Sequence, residues 1–280
     1  MKYLVIYHRR DKYPIQAMCQ FFGVSRSGYY SFVKRMEKVD WDEPLALLIG
    51  ECQHKTHHTY GYRRVHIWLE RRGIHHDPKT VLRVMNKYGL LSEIRRRKKY
   101  RIMSQQLHRY ENILNRDFTA DHPNQKWVTD ISYIHTSQGV LYLSVIRDLF
   151  DNSIVAYQTG NEQTVNLVLN TIKIAKAKEK VAADLCLHSD QGFQYTSHGY
   201  FTLTKEYGII PSMSRRSNCY DNAMAENFFS ILKSECIYRQ KLDTYDQARS
   251  LIDQYIHFYN HVRLQLKTRL TPFEKRSQTA

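Results

Sequence analysis

The chain has 280 residues, enough for one large domain and one or two small ones. It carries 42 Lys+Arg against 27 Asp+Glu, a formal charge of +15, which points to a polyanionic partner and first of all to nucleic acid. No apolar run reaches the length of a membrane span or a signal-peptide core, and the five cysteines (Cys19, Cys52, Cys186, Cys219, Cys236) include no C-x-x-C pair, so a membrane protein, a disulfide framework and a zinc site are excluded and a reduced, cytoplasmic protein is expected.

The charge is uneven. Residues 1–119 hold 24 Lys+Arg against 11 Asp+Glu, whereas residues 120–280 hold 18 against 16. A basic arm therefore precedes a nearly neutral body. In chain order, residues 14–33 read as two short helices around a turn. Pro14 opens the first, Ile15, Met18, Cys19 and Phe22 follow helical spacing, Gly23 breaks the run, and Ser25 is a good N-cap for the second. Residues 60–90 give a clearer pair. Val65, Trp68 and Leu69 form one apolar face, and the helix ends near Gly73. Asp77-Pro78 starts the next, whose stripe is Val81, Val84, Met85 and Tyr88. Lys79, Arg83 and Lys87 lie opposite that stripe, and Arg63 and Arg64 add charge to the first helix. The run Arg95-Arg96-Arg97-Lys98-Lys99 reads as an extended basic linker able to contact phosphates.

After Asn124 the period changes. Strands are predicted over 127–134, 140–146 and 153–158, then a helix over 165–177, a buried strand over 185–188, a helix over 197–207, a strand over 209–213, and helices over 222–236 and 246–259. That order is an α/β layered fold with a mixed sheet. The expected division is a helix-turn-helix-like segment over 1–40, a basic helical region over 41–94, a linker over 95–119 and a catalytic core over 120–280.

Three carboxylates stand where chemistry is expected. Asp130 interrupts a predicted central strand, a costly place for a charge unless something pairs with it. Asp190 follows the carboxyl end of another strand, where ligand sites of α/β sheets collect, and Gly192 lets the chain turn there. Glu226 sits on a predicted helix between small residues, Ala223 and Ala225, that allow close approach to the sheet. Together they would make an oxygen-rich pocket suited to hard divalent cations, and two such ions support in-line phosphoryl displacement. His188, two residues before Asp190, reads as a packed residue rather than a general base.

The blocks Trp127-Val-Thr-Asp-Ile-Ser-Tyr-Ile134, His188-Ser-Asp-Gln-Gly-Phe-Gln-Tyr-Thr-Ser197 and Asp221-Asn-Ala-Met-Ala-Glu-Asn-Phe-Phe229 resemble the DDE integrase/transposase superfamily. Asp190 and Glu226 are separated by 35 residues, the D,D-35-E spacing of retroviral integrases and of a large bacterial insertion-sequence family with two overlapping reading frames. The chain resembles the second-frame (OrfB) product of that family over nearly its whole length, including Tyr60-Gly-Tyr-Arg-Arg64 and Tyr259-Asn-His-x-Arg263 with Thr271-Pro272. The resemblance implies a ribonuclease-H-like core preceded by an all-α helix-turn-helix-type region. It implies metal-dependent 3′-end cleavage and strand transfer with two Mg²⁺ or Mn²⁺ ions held by Asp130, Asp190 and Glu226.

It also implies that Lys233, seven residues past Glu226 on the same helix face, contacts DNA near the reacting end, and Asn222 is placed near the site by the same spacing argument. Expected partners are double-stranded DNA at the element's terminal repeats and the target, further copies of the chain on that DNA, and the upstream-frame (OrfA) product as companion or fusion. His54 and His58 have ligand spacing but no C-x-x-C follows, so no structural zinc is expected. Two other functions fit parts of the pattern: a non-catalytic DNA-binding regulator of the full transposase, and a nuclease acting on RNA in hybrids. The basic helical pairs favour duplex DNA over the second.

Overall fold

The computed structural model describes residues 2–36, 40–93, 110–179, 184–215 and 221–278. The chain divides into two compact units, Met1–Gly50 and Glu51–Ala280.

The first unit contains α1 (Lys2–Arg9), α2 (Ile15–Phe21) and α3 (Arg26–Met36), followed by the start of α4 (Glu43–Lys55). Gly23, at φ +62°, makes the turn between α2 and α3, and Ser25 Oγ accepts the backbone N–H of Gly28 at 3.0 Å to start α3. Ile6, Met18, Cys19 and Tyr29 bury against one another. Helix α1 was not expected from the sequence. Its Leu-Val-Ile-Tyr centre has weak helix propensity, and the burial of Ile6 among residues of α2 and α3 decides the matter.

In the second unit α5 (Tyr62–Glu70) and α6 (Pro78–Lys87) are the expected pair. Asp77 caps α6 by accepting the Lys79 N–H at 2.7 Å, and Val81, Val84 and Met85 are buried. Trp68 lies half-buried with the Arg72 guanidinium 3.7 Å from its ring centre. Tyr60 anchors the pair to the far end of the chain: its hydroxyl donates to the Val262 carbonyl and accepts from the Leu264 N–H.

The sheet contains β1 (Lys126–Thr136), β2 (Gly139–Asp148), β3 (Ile154–Gly160), β4 (Cys186–Ser189) and β5 (Ile210–Met213) in the order β3-β2-β1-β4-β5. The first three strands pair antiparallel as a meander, and β4 and β5 add in parallel. Between them run α7 (Val165–Lys178), capped by Thr164, and α8 (His198–Glu206), capped by Ser197. Then follow α9 (Ala223–Glu235), α10 (Tyr245–His261) and α11 (Pro272–Ser277), the last two opened by capping boxes at Thr244 and Thr271.

Neighbouring residues of β1 point to opposite faces of the sheet. Trp127 joins a core with Val168 and Ile172 of α7 and Tyr200 of α8. Val128 packs with Leu114, Leu149 and Ala225 of α9. Tyr259 of α10 meets Phe228 of α9 with ring centres 5.0 Å apart. The sheet is thus covered on both faces, as the ribonuclease-H-like expectation requires. In the unit from Glu51 onward, the described residues contain no helix long and apolar enough to cross a membrane, and the same holds from Lys2 to Gly50.

Candidate active site

The site begins with strand register. β1 and β4 pair only over Lys126–Val128, with Val128 opposite His188. Partners in a parallel pair face the same side, so two residues further on Asp130 and Asp190 come to matching positions where the strands part. Each carboxylate is fixed by a local backbone donor: Ile131 N–H to Asp130 Oδ1 at 2.7 Å, and Gly192 N–H to Asp190 Oδ1 at 2.8 Å. Gly192 leaves room for this contact. A Cβ there would lie 2.9 Å from Asp190 Oδ1 and 3.0 Å from Gln194 Oε1.

The electrostatics record the convergence. Burial, the neighbouring Asp190 charge and the Glu226 charge push the Asp130 pKa well above the carboxylate range, while the Ile131 N–H and Lys233 pull it down. Burial raises Asp190 as well, against the Gly192 N–H. Tyr195 lies beneath the pair, its hydroxyl 3.3 Å from Thr129 Oγ1, and burial beside both aspartates pushes its own pKa far up. It is a neutral, buried side chain next to both aspartates. Glu226 projects from the first turn of α9, half-buried. Among the described residues no three His, Cys, Asp or Glu side chains stand together as a group that could hold a metal ion.

Lys233 lies close enough to Asp130 to feel its charge. Burial lowers its pKa and Asp130 opposes that, while its Nζ lies 4.8 Å from the Tyr133 ring centre. Asn222 lies one residue outside α9 rather than within it. It is buried, it makes no side-chain cap, and its Oδ1 has no hydrogen-bond partner among the described residues. His188 is buried between Ser212 and Ser214, 2.9 Å and 3.1 Å from its ring nitrogens, and burial lowers its pKa to about 4. It is a neutral packing residue at physiological pH.

Arg63, Lys79, Arg83 and Lys87 are exposed on α5 and α6. Arg64 turns inward, donating Nε to the Leu264 carbonyl at 2.9 Å, and burial near Arg263 lowers its pKa. Arg95, Arg96 and Arg97 lie outside the described residues.

The residue that sequence reasoning passed over is Asp221, read only as part of a motif. Its side chain is fully buried. Oδ1 accepts from Arg116 Nε at 2.8 Å, and Oδ2 accepts from Asn112 Nδ2 at 2.9 Å and from the backbone and Nε of Arg215 at 3.0 and 3.1 Å. It ties the segment before β1 and the chain after β5 to the start of the Glu226 helix. Despite burial, the arginines hold its pKa down to about 2. A carboxylate with a depressed folded pKa stabilises above its unfolded value and ceases to do so below its folded one. The stability gap between wild type and Asp221→Asn is therefore expected to be full at neutral pH and to close as the pH falls from about 4 toward about 2, measured by urea unfolding.

Family models described as "Integrase core domain" match residues 120–219 and 226–279, and one described as "HTH-like domain" matches residues 40–98. The putative transposase InsK for insertion sequence element IS150 of Escherichia coli (strain K12) is 37% identical over 277 residues, covering 98% of this chain and 98% of that protein. The transposase InsF for insertion sequence IS3A of the same organism is 31% identical, covering 94% and 93%. An uncharacterized transposase-like protein of Haemophilus influenzae is 41% identical over 202 residues, 72% of this chain and 93% of that one. The HTLV-2 integrase catalytic core in complex with magnesium is a distant structural likeness, at 14% identity and TM-score 0.46 over 56% of this chain and 98% of that one. With relatives of this identity matched along almost their entire length, the chain belongs to the IS3-family DDE transposases, second-frame (OrfB) type, and acts in DNA transposition.

Proposed function

We propose that Asp130, Asp190 and Glu226 hold two divalent ions, Mg²⁺ or Mn²⁺, and that the chain cleaves the 3′ ends of its element and transfers them to target DNA. The observation that carries this is the pair of aspartates at matching register positions where β1 and β4 part, with the Glu226 charge felt at Asp130. Burial raises both aspartates, and the neighbouring acids raise Asp130 further; a cation would relieve that cost, and an all-oxygen donor set fits a hard one. Such ions, when bound, activate a water or 3′-hydroxyl and stabilise the leaving oxygen.

The chain's own groups do the rest. The Ile131 and Gly192 N–H groups hold one oxygen of each aspartate, leaving the second for the ion. Tyr195 stays neutral beside the two aspartates. Lys233 offsets the carboxylate charge and offers an ammonium to a DNA phosphate. Asn222, with its unpaired Oδ1, sits at the root of the same helix and is assigned to the site's rim. Water and DNA hydroxyls serve as nucleophiles, so no covalent protein–DNA intermediate forms.

Arg63, Lys79, Arg83 and Lys87 are assigned to phosphates of duplex DNA, extended by Arg95, Arg96 and Arg97, with residues 1–40 and 41–94 as the DNA-binding part and 120–280 as the catalytic part. Arg64 supports that surface by anchoring α5. Copies of the chain pair on the two element ends, with the upstream-frame (OrfA) product as companion or fusion. On a duplex carrying the element's own end, with Mg²⁺ or Mn²⁺, cut 3′ ends and joined products are expected. A chain that binds that end yet yields neither, alone and fused to the upstream frame, would be a regulator.

A further inference from the structure

Tyr133 lies on β1 three residues past Asp130, beyond the last β1–β4 pair, and is 55% exposed. Nothing in the assigned chemistry uses it. Across the sheet it faces Tyr142, and His135 meets it edge-on at 5.7 Å. Lys233 Nζ stands 4.8 Å from its ring centre, and the same lysine feels the Asp130 charge. One ammonium thus stands over an open aromatic ring on an exposed stretch of strand while still within reach of the Asp130 charge.

An exposed ring beside a cation, next to a phosphoryl-transfer site, matches one ligand chemistry: a nucleobase with a free π-face attached to a phosphate. Bases inside a duplex have both faces covered by neighbours, so only an unpaired or terminal base can stack there. We propose that Tyr133 is a stacking platform for an unpaired DNA base adjacent to the reacting phosphate, with Lys233 aligned by the ring to meet that nucleotide's phosphate. Tyr133 is on this account a positioning residue, tolerant of base identity because every base has a π-face. The inference rests on the function proposed above for the neighbouring carboxylates.

The test uses the full chain without divalent metal, so that it reads stacking and not cleavage. The probes are duplexes with a short unpaired end carrying 2-aminopurine, one with the element's terminal sequence and one with an unrelated target sequence, plus a duplex closed by a hairpin with the same base inside. Wild type is expected to quench the unpaired probe and leave the closed one unchanged; quenching on the element sequence alone assigns the donor end, and quenching on both assigns any unpaired base. Tyr133→Phe keeps the ring and should quench as wild type does. Tyr133→Ser should lose the quench and bind the unpaired-end duplex roughly tenfold more weakly, with affinity for the closed duplex unchanged. Quenching by Tyr133→Ser equal to wild type would overturn the proposal, as would a loss in Tyr133→Phe as large as in Tyr133→Ser. Equal weakening on the closed duplex would also overturn it, since it would mean a general surface effect. Failure of the carboxylate assignment appears separately, as quenching by a protein that never cuts.

Discussion

Replacing Arg263 with alanine is expected to cost about 3–5 kcal/mol of stability. Arg263 and Glu235 are only 7% and 4% exposed, and their pairing is bidentate: Nε to Oε2 at 2.8 Å and Nη2 to Oε1 at 2.6 Å. The Tyr255 hydroxyl donates to the same carboxylate at 2.7 Å. The pair holds the Glu235 pKa down despite burial. Removing the arginine strands a buried charge, whereas removing both charges together does not. The double replacement Glu235→Leu/Arg263→Met should therefore recover most of the loss. Urea unfolding measures both, and a single-variant cost below about 1 kcal/mol would remove the argument. The consequence is functional as well as structural. Glu226 is in the first turn of α9 and Glu235 is its last residue, so the ion pair fixes the far end of the helix that presents the third carboxylate.

Asp130→Asn should move activity and stability in opposite directions. Strand cleavage should fall by roughly a thousandfold or more, the rate equivalent of several kcal/mol of lost charge stabilisation. The metal-free protein should at the same time become more stable. Burial and two neighbouring carboxylates raise the Asp130 pKa. A carboxyl whose folded pKa lies above its unfolded one binds its proton more tightly when folded, so ionising it costs stability as the pH rises through and beyond the ordinary carboxylate range. The amide carries no such cost. Its melting temperature at neutral pH should exceed that of the metal-free wild type by about 2–4 °C for each kcal/mol relieved. Added Mg²⁺ should stabilise the wild type and leave Asp130→Asn nearly unmoved. A variant less stable than wild type without metal would mean that Asp130 is held by partners rather than waiting for a cation.

Much of the fold could be read from periodicity. The five strands and the helices α7 to α10 lie within two or three residues of their predicted positions, because long runs of alternating or 3.6-spaced apolar residues coincide with local caps at Thr164, Ser197 and Thr244. Strand order could not be read this way. That β4 inserts beside β1, bringing Asp190 to Asp130, depends on contacts between segments about sixty residues apart, which no local pattern encodes. Helices α1 and α4 escaped for a related reason: α1 is eight residues long and α4 has its apolar residues clustered in Leu45-Ala-Leu-Leu-Ile49 without a polar face to set the period.

The site divides the same way. Asp130, Asp190 and Glu226 stand out because a charge in or at the end of an apolar strand contradicts its surroundings, and because motif spacing can be counted. Asp221 carries no such signal. Its partners Asn112, Arg116 and Arg215 come from two other segments, and only the folded chain shows that this acid is fully buried. Arg64 misleads in the opposite sense. Beside Arg63 it reads as surface charge, yet helical geometry turns the two in different directions and sends one guanidinium toward Leu264. Tyr133 looks like any strand aromatic until Lys233, a hundred residues later in the chain, is found over its ring.

The measurement that bears most directly on the central claim is strand cleavage and joining by Glu226→Gln on a labelled duplex with the element's own end, in Mg²⁺ and in Mn²⁺, beside a binding titration. Glutamine keeps the size of the side chain and removes its charge, and Glu226 is half-buried in the first turn of a helix whose other contacts are untouched. Wild type is expected to give cut and joined products, and the variant none in either metal while binding the duplex with the same affinity. Products from Glu226→Gln at a rate near wild type would contradict this expectation, and Glu226 would then be no part of the catalytic triad.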